Sequence, residues 1–348
     1  MAIILILGAG AMGSAFSFPP ADLGHEVMLV GTHLDQEIIR ELKKSGIHPK
    51  LKMKLPDQVQ VFSHEELGAA MICQPDVIIL GVSSAGVAWA VQALGPLLEQ
   101  PVPILLLTKG LAVEEDRLMI LPQFVAGGLH GFGIGQFTIG AVGGPCIAGE
   151  LAARRDTSVT IAYPDREKFY WLNSLFKAPY YHIHYTTDLA GLEICAAMKN
   201  FYALAVGYPS GYLDMTDQLQ NKAQMHNLSA GLFTQSIKEM AMLADWMEGT
   251  SENVYGLAGI GDLYVTCQDG RNSRMGKLLG SGMTYSTAKK EKMPDDTVEG
   301  AELALKIGPL LEHLFQKEIL DKKKYPLARI IIDAICHDAL MQIPWALF

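Results

Sequence analysis

Over its first half the chain alternates short, unbroken apolar runs with longer mixed segments, and the runs end in glycine or small polar residues. Ile3–Leu7 runs directly into Gly8-Ala9-Gly10-Ala11-Met12-Gly13, and Glu26–Val30 ends in Gly31-Thr32. Runs this short and this rich in Ile, Val and Leu suit parallel strands buried on both faces. The same pattern predicts strands at 59–62, 76–82, 103–107, 138–143 and 158–162. From about residue 188 the pattern changes: segments 189–206, 229–247, 274–279 and 300–315 lack period-two alternation and have helical lengths. The expected fold class is α/β. A Rossmann-like, mainly parallel sheet domain would span residues 1–187, followed by an all-α substrate domain over 188–348.

The first strand and its glycines carry a physical argument for a dinucleotide. Gly8 would allow the tight turn out of the strand, Gly10 would let backbone approach a pyrophosphate, and Gly13 would let the next helix pack close to the sheet. The pyrophosphate would sit on the N–H groups at that helix's start. The second strand supplies the βαβ context that separates this reading from a glycine-rich turn in another α/β fold. At its end stand Gly31-Thr32-His33-Leu34, with Asp35 later than the usual ribose-binding acid. A ribose 2′-phosphate is then acceptable, with Thr32 donating a hydrogen bond and His33 adding charge when protonated. Both NAD(H) and NADP(H) are therefore in play. Arg40, Lys43 and Lys44 read as a solvated helix face. Ser83 and Lys109 follow later strands, at the carboxyl ends where ligands sit in open α/β sheets.

Composition narrows the class. A length of 348 residues fits about two domains. A net charge of −9 with 19% charged residues argues against nucleic acid or an anionic membrane as the main partner, so an anionic substrate needs local positive charge. The five cysteines show no C-x-x-C pair and the ten histidines no H-E-x-x-H, so thiols in a reducing cytosol and no metal are expected. The apolar stretches 77–98 and 102–113 are interrupted by Ser83-Ser84, Gly95-Pro96 and Lys109, so neither reads as a bilayer span. Segment 48–56, basic and Pro-containing, reads as a surface excursion. Segment 207–225 reads as an ordinary surface loop, with a lid as the other reading.

Two polar clusters stand out in the helical half. The segment 191–203 is almost wholly apolar except for Glu193, Lys199 and Asn200. A helix apolar all round is buried, and a lysine in it is paired, snorkelling or chemically useful, with burial lowering its pKa towards that of a general acid or base. In the second cluster, 256–272, glycine-rich turns surround Asp262 and lead into Gly270-Arg271-Asn272. That pattern suits a loop whose N–H groups and guanidinium hold a phosphate, or an ordinary interhelix turn.

The glycine fingerprint, Thr108-Lys109-Gly110, Gly144-Pro145-Cys146-Ile147-Ala148-Gly149-Glu150, Glu193 with Ala196-Ala197-Met198-Lys199-Asn200, Gly261-Asp262-Leu263, Gly270-Arg271-Asn272 and Val298-Glu299-Gly300 occur in one order and spacing. In this the chain resembles the NAD(P)-dependent sn-glycerol-3-phosphate dehydrogenases, from residue 1 to about residue 340. The resemblance implies hydride transfer between nicotinamide and dihydroxyacetone phosphate or sn-glycerol 3-phosphate, in glycerophospholipid metabolism in the cytoplasm. It makes Lys199 the general acid/base, Lys109 a contact to substrate and nicotinamide, and Asp262 the acid that positions the catalytic lysine. Arg271 and Asn272 become the phosphate clamp, and Asn200 lies near the substrate. Gly144 and Cys146 line the substrate site. Ala11, Met12, Thr32, Ala148, Arg271 and Glu299 meet the cofactor. The cleft would lie between the domains, the partner is a small phosphorylated substrate, and a homodimer is compatible with this reading.

The sequence also departs from the family. Asn-x-Lys and a later Arg are expected in the next long helix, where this chain has His226-Asn227-Leu228-Ser229 and Thr234-Gln235-Ser236. Cys146 replaces a commoner Ser, Thr or Asn and is a poorer hydrogen-bond donor. Two rival readings are a ketopantoate-type reductase acting on a carboxylate and a non-catalytic NAD(P)-binding regulator. Arg271 and Lys109 favour the phosphate over the first, and joint retention of Lys109, Lys199 and Asp262 speaks against the second.

Overall fold

The computed structural model describes residues 1–216 and 223–347. Eight strands form one sheet: β1 (Ile3–Leu7), β2 (Glu26–Val30), β3 (Val59–Phe62), β4 (Val77–Leu80), β5 (Ile104–Leu106), β6 (Ile139–Gly143), β7 (Thr157–Ala162) and β8 (Tyr181–Thr186). Their order is β8-β7-β6-β5-β4-β1-β2-β3, and every pair is parallel except β6 with β7. β1 pairs on both edges, and its Ile4, Leu5, Ile6 and Leu7 are wholly buried on both faces of the sheet, which is what an unbroken apolar run without alternation requires.

Two compact units result. The first holds the sheet and comprises 1–109 and 121–192. The second comprises 110–120 and 193–348 and, among the described residues, its regular structure is helical apart from the hairpin Leu111–Glu114/Arg117–Ile120. A single division at 187 leaves that hairpin with the sheet. Instead its Leu111, Ala112, Leu118 and Ile120 are buried and it packs on the helix Glu299–Gln316. Apolar contact groups it with the helices despite its place in the chain.

The principal helices are α1 (Ala11–Phe16), α2 (Leu189–Thr216), α3 (His226–Trp246), α4 (Asp262–Asp269), α5 (Arg271–Gly280), α6 (Glu299–Gln316) and α7 (Pro326–Cys336). Over Leu189–Asp214, α2 is long and apolar enough to cross a membrane, yet 89% of the relevant window is buried inside the protein. It is a core helix.

Four glycines explain how α2 and α5 approach so closely. A Cβ on Gly207 would lie 2.3 Å from the Ser273 carbonyl oxygen, and one on Gly211 would lie 1.7 Å from that of Lys277. Reciprocally, Gly276 and Gly280 would place a Cβ 2.0 Å and 2.1 Å from the carbonyl oxygens of Leu204 and Tyr208. The two backbones touch along this line.

One expected surface segment is built differently, and another stays largely at the surface but buries His48 and Leu55. Residues 207–216 continue α2, with Gly207 and Tyr208 buried; residues 217–222 of the expected loop lie outside the described residues. Segment 48–56 forms part of a small hairpin, Ile47–His48 with Met53–Lys54, whose His48 is fully buried. Polarity misled in both places, because a glycine-lined helix and a hydrogen-bonded histidine are polar sequences with buried destinations.

Candidate active site

In the first unit the expected coenzyme residues stand at the carboxyl edge of the parallel strands. Gly8 leaves β1 with φ +116°, and a Cβ there would lie 2.7 Å from the Gly81 backbone after β4. A Cβ on Gly13 would stand 2.0 Å from the Gly8 carbonyl oxygen, so α1 can meet the strand only through glycine. Gly10 differs. Its φ of −63° suits any residue, and a Cβ would meet nothing within 4 Å. Open space in front of this backbone, at the start of a helix with no side-chain cap, fits a pyrophosphate, with Ala11 and Met12 opening that helix.

Ser83 lies exposed just past β4. After β5, Thr108 Oγ1 donates to the Val82 carbonyl at 2.7 Å, fixing the turn from which Lys109 extends, and Lys109 Nζ donates to the Gly144 carbonyl at 3.4 Å. Gly144 follows β6 with φ +122° and is buried, Cys146 is half-buried, and Ala148 begins a short helix packed on α1. Thus Lys109, Gly144, Cys146 and Ala148 come together with the glycine turn in one unit.

The end of β2 departs from expectation. Asp35 folds back so that its Oδ2 accepts from Thr32 N (2.9 Å), Thr32 Oγ1 (2.8 Å) and Ala9 N (3.2 Å). A carboxylate is therefore present at this turn, and the Thr32 hydroxyl proton is donated to it rather than held for a ligand. The late position of Asp35 in sequence concealed this, because a tight turn returns its side chain to the strand end. The exposed His33 ring lies 5.6 Å from the Trp89 ring and 6.4 Å from the His64 ring.

In the second unit two sets of polar contacts lie side by side on α2. Lys199 on α2 is 7% exposed and Asp262, opening α4, is 2% exposed; Lys199 Nζ donates to Asp262 Oδ1. Next along α2, Asn200 Oδ1 accepts from Asn272 Nδ2 at 2.9 Å, and Asn200 Nδ2 donates to Glu299 Oε2 at 2.9 Å. Asn272 Oδ1 in turn accepts from Gly300 N at 2.8 Å. A Cβ on Gly300 would lie 2.0 Å from the Asn200 carbonyl, so glycine at the start of α6 is what lets Glu299 reach α2. Arg271 opens α5, half exposed, with Nη2 3.6 Å from Glu299 Oε1.

Segment 256–272 is not a loop. A wide π-helical turn, Leu257–Gly261, feeds α4 and then α5, and a Cβ on Gly259 would lie 2.1 Å from the Val254 carbonyl. The π turn aims Asp262 at Lys199, a recurring use of such turns at functional sites. Burial pushes the Cys267 thiol up to about 12 although the Lys199 charge pulls the other way, so this thiol stays protonated.

Models of the NAD-dependent glycerol-3-phosphate dehydrogenase N-terminus and C-terminus match residues 3–169 and 188–342. The chain belongs to the NAD-dependent glycerol-3-phosphate dehydrogenase family. It is 35% identical to an "NADP(+)-dependent glycerol-3-phosphate dehydrogenase" of Archaeoglobus fulgidus over 83% of each chain. It is 29% identical to a "Glycerol-3-phosphate dehydrogenase [NAD(P)+]" of Shouchella clausii, over 89% of this chain and 87% of that one. The fold is similar to the crystal structure of glycerol-3-phosphate dehydrogenase from Coxiella burnetii, with TM-score 0.81 and 26% identity over 99% of this chain and 97% of that one.

Against that family background, two residues of the first unit that sequence reasoning left outside the site, Asp35 and His48, both hold Ala9. The signal available in sequence was a Thr-x-x-Asp turn after a strand. Nothing in the sequence marks His48.

Proposed function

We propose that this chain interconverts dihydroxyacetone phosphate and sn-glycerol 3-phosphate with NAD(P)(H), and that Lys199 is its general acid/base. The observation that carries the reading is the buried Lys199–Asp262 ion pair, next along α2 to a second set of bonds that holds Asn200, Asn272, Glu299 and, at its exposed rim, Arg271. Reduced nicotinamide, when bound, supplies the hydride. Lys199 gives a proton to the carbonyl oxygen as that hydride reaches the carbonyl carbon, and in the reverse direction neutral Lys199 takes the hydroxyl proton. Asp262 keeps the ammonium oriented and offsets its charge, so the proton leaves from a fixed position. In the first unit Lys109 offers a preorganised cation, the kind of group that acts most strongly where negative charge develops.

Arg271 and Asn272 hold the non-reacting phosphate at the N-terminus of α5, where guanidinium, amide and helix dipole all favour an anion. Replacing a whole buried ion pair by apolar residues of similar volume is often neutral or stabilising, so a binder without turnover has no need to retain the pair.

For the coenzyme, Asp35 opposes a 2′-phosphate, while His33 and His64 favour it once protonated. Use of both coenzymes fits these side chains, and the Archaeoglobus fulgidus relative is named for NADP(+). Net charge and the buried α2 support a soluble, cytoplasmic enzyme. The test is oxidation of NADH and of NADPH, assayed separately at 340 nm with dihydroxyacetone phosphate. Phosphate-dependent turnover supports the assignment; equal use of unphosphorylated dihydroxyacetone refutes the clamp.

A further inference from the structure

Behind the glycine turn lies a buried side chain to which the reaction gives no task. His48 is 0% exposed, and its Nε2 lies 3.1 Å from the Ala9 carbonyl oxygen. Its Nδ1 faces the backbone N–H groups of Lys50 and Leu51 at 3.2 and 3.1 Å. Those groups can only donate, so Nδ1 accepts and the neutral ring carries its proton on Nε2, which donates to Ala9. The same carbonyl accepts from Ser14 Oγ at 3.1 Å, and the Ala9 N–H donates to Asp35 at 3.2 Å. Both peptide units flanking Ala9 are held.

We propose that His48 is a positioning residue for the coenzyme, gripping the Ala9 carbonyl so that the N–H of Gly10 is turned towards the pyrophosphate. In a trans peptide the carbonyl and the following N–H point in opposite directions. Fixing the Ala9 oxygen against the hairpin therefore aims the Gly10 N–H away from it, into the space that a Gly10 Cβ would leave open. This rests on the reading that the turn Gly8–Gly13 takes the pyrophosphate.

The grip needs a neutral ring. A proton on Nδ1 would confront the N–H groups of Lys50 and Leu51. Burial and Lys50 act against protonation, the Ala9 carbonyl and Asp35 act for it, and the balance holds the imidazole below its ordinary value. Acid strong enough to charge His48 loosens the turn.

The test is the dissociation constant of NADH and of NADPH for the full chain, read by fluorescence, together with the unfolding midpoint. His48→Ala should weaken both coenzymes alike, by about tenfold, since both share the pyrophosphate and a hydrogen bond to a fixed carbonyl is worth about that much. His48→Gln, whose amide can donate to Ala9 and accept from Leu51, should recover most of the affinity. From pH 7 to 5, NADH binding should weaken in the wild type and stay flatter in His48→Gln. If His48→Ala lowers the unfolding midpoint while both dissociation constants stay within twofold, His48 merely supports the hairpin and the proposal fails. If His48→Ala does not fold, His48→Gln and the wild-type pH profile decide: parallel profiles overturn the proposal. A wild type that binds neither coenzyme overturns the pyrophosphate reading itself.

Discussion

Glu239 gives this protein a stability that depends on pH in an unusual direction. It sits on α3 with no exposure, and its carboxyl accepts from Tyr202 Oη (3.1 Å), Gln235 Nε2 (2.8 Å), and the first N–H groups of α7, Leu327 and Ala328 (2.8 Å each). Every one of these donors is neutral. Burial outweighs their hydrogen bonds and lifts the carboxyl from its ordinary 4.5 to about 7. Unfolding returns it to about 4.5, so the native state holds this proton more tightly. Its stabilisation is complete below about pH 4.5 and is lost as pH rises towards 7, a change of about 3 kcal/mol. For a helical unit of this size that is roughly 6–12 °C in the unfolding midpoint.

The assay is thermal and urea unfolding of wild type and Glu239→Gln between pH 5 and 8. The carboxamide stays neutral: its oxygen, in place of Oε1, can still accept from Leu327 and Gln235, while its NH2, in place of Oε2, can donate to Tyr202 but no longer accepts from Ala328, a loss that is the same at every pH and so drops out of the pH dependence. The difference between the two proteins should therefore swing towards the variant by about 2.5 kcal/mol between pH 5 and pH 8. Curves that stay parallel from pH 5 to 8 would refute the argument. The family's Arg at Gln235 suggests a companion test: Gln235→Arg places a cation beside the carboxyl and should move the loss to lower pH.

Other outcomes follow from the same geometry. Arg271→Lys should raise KM for dihydroxyacetone phosphate with little change for unphosphorylated substrate, because an ammonium cannot replace a bidentate fork; equal effects on both would refute the clamp. Thr32→Asp should shift preference towards NADH and Asp35→Asn towards NADPH, read as the ratio of kcat/KM. Gly276→Ala drives a Cβ to 2.0 Å from the Leu204 carbonyl. It should cost about 1–3 kcal/mol and displace Arg271 and Asn272 along with α5, lowering both the unfolding midpoint and substrate affinity.

The parts legible in sequence were those whose chemistry is local. Ile3–Leu7 with Gly8, Gly10 and Gly13 announces a buried strand and a phosphate turn because the apolar run and the glycine spacing are read within a dozen residues. Lys199 stood out because a charge in an apolar helix is costly, and the structure pairs it with Asp262. What escaped depends on pairs distant in sequence. Gly207 and Gly211 have meaning only beside Gly276 and Gly280, and the role of Asp35 appears only once its turn closes onto Ala9. His48 lies among lysines and a proline, and polarity there reads as surface until the ring's three hydrogen bonds are seen.

Single-turnover oxidation of NADPH or NADH by dihydroxyacetone phosphate in Lys199→Ala tests the central assignment most directly. With coenzyme saturating and its dissociation constant unchanged, the rate should fall by ~100-fold or more, since a positioned general acid contributes about that much. A rate within a few-fold of wild type would contradict Lys199 as the proton donor.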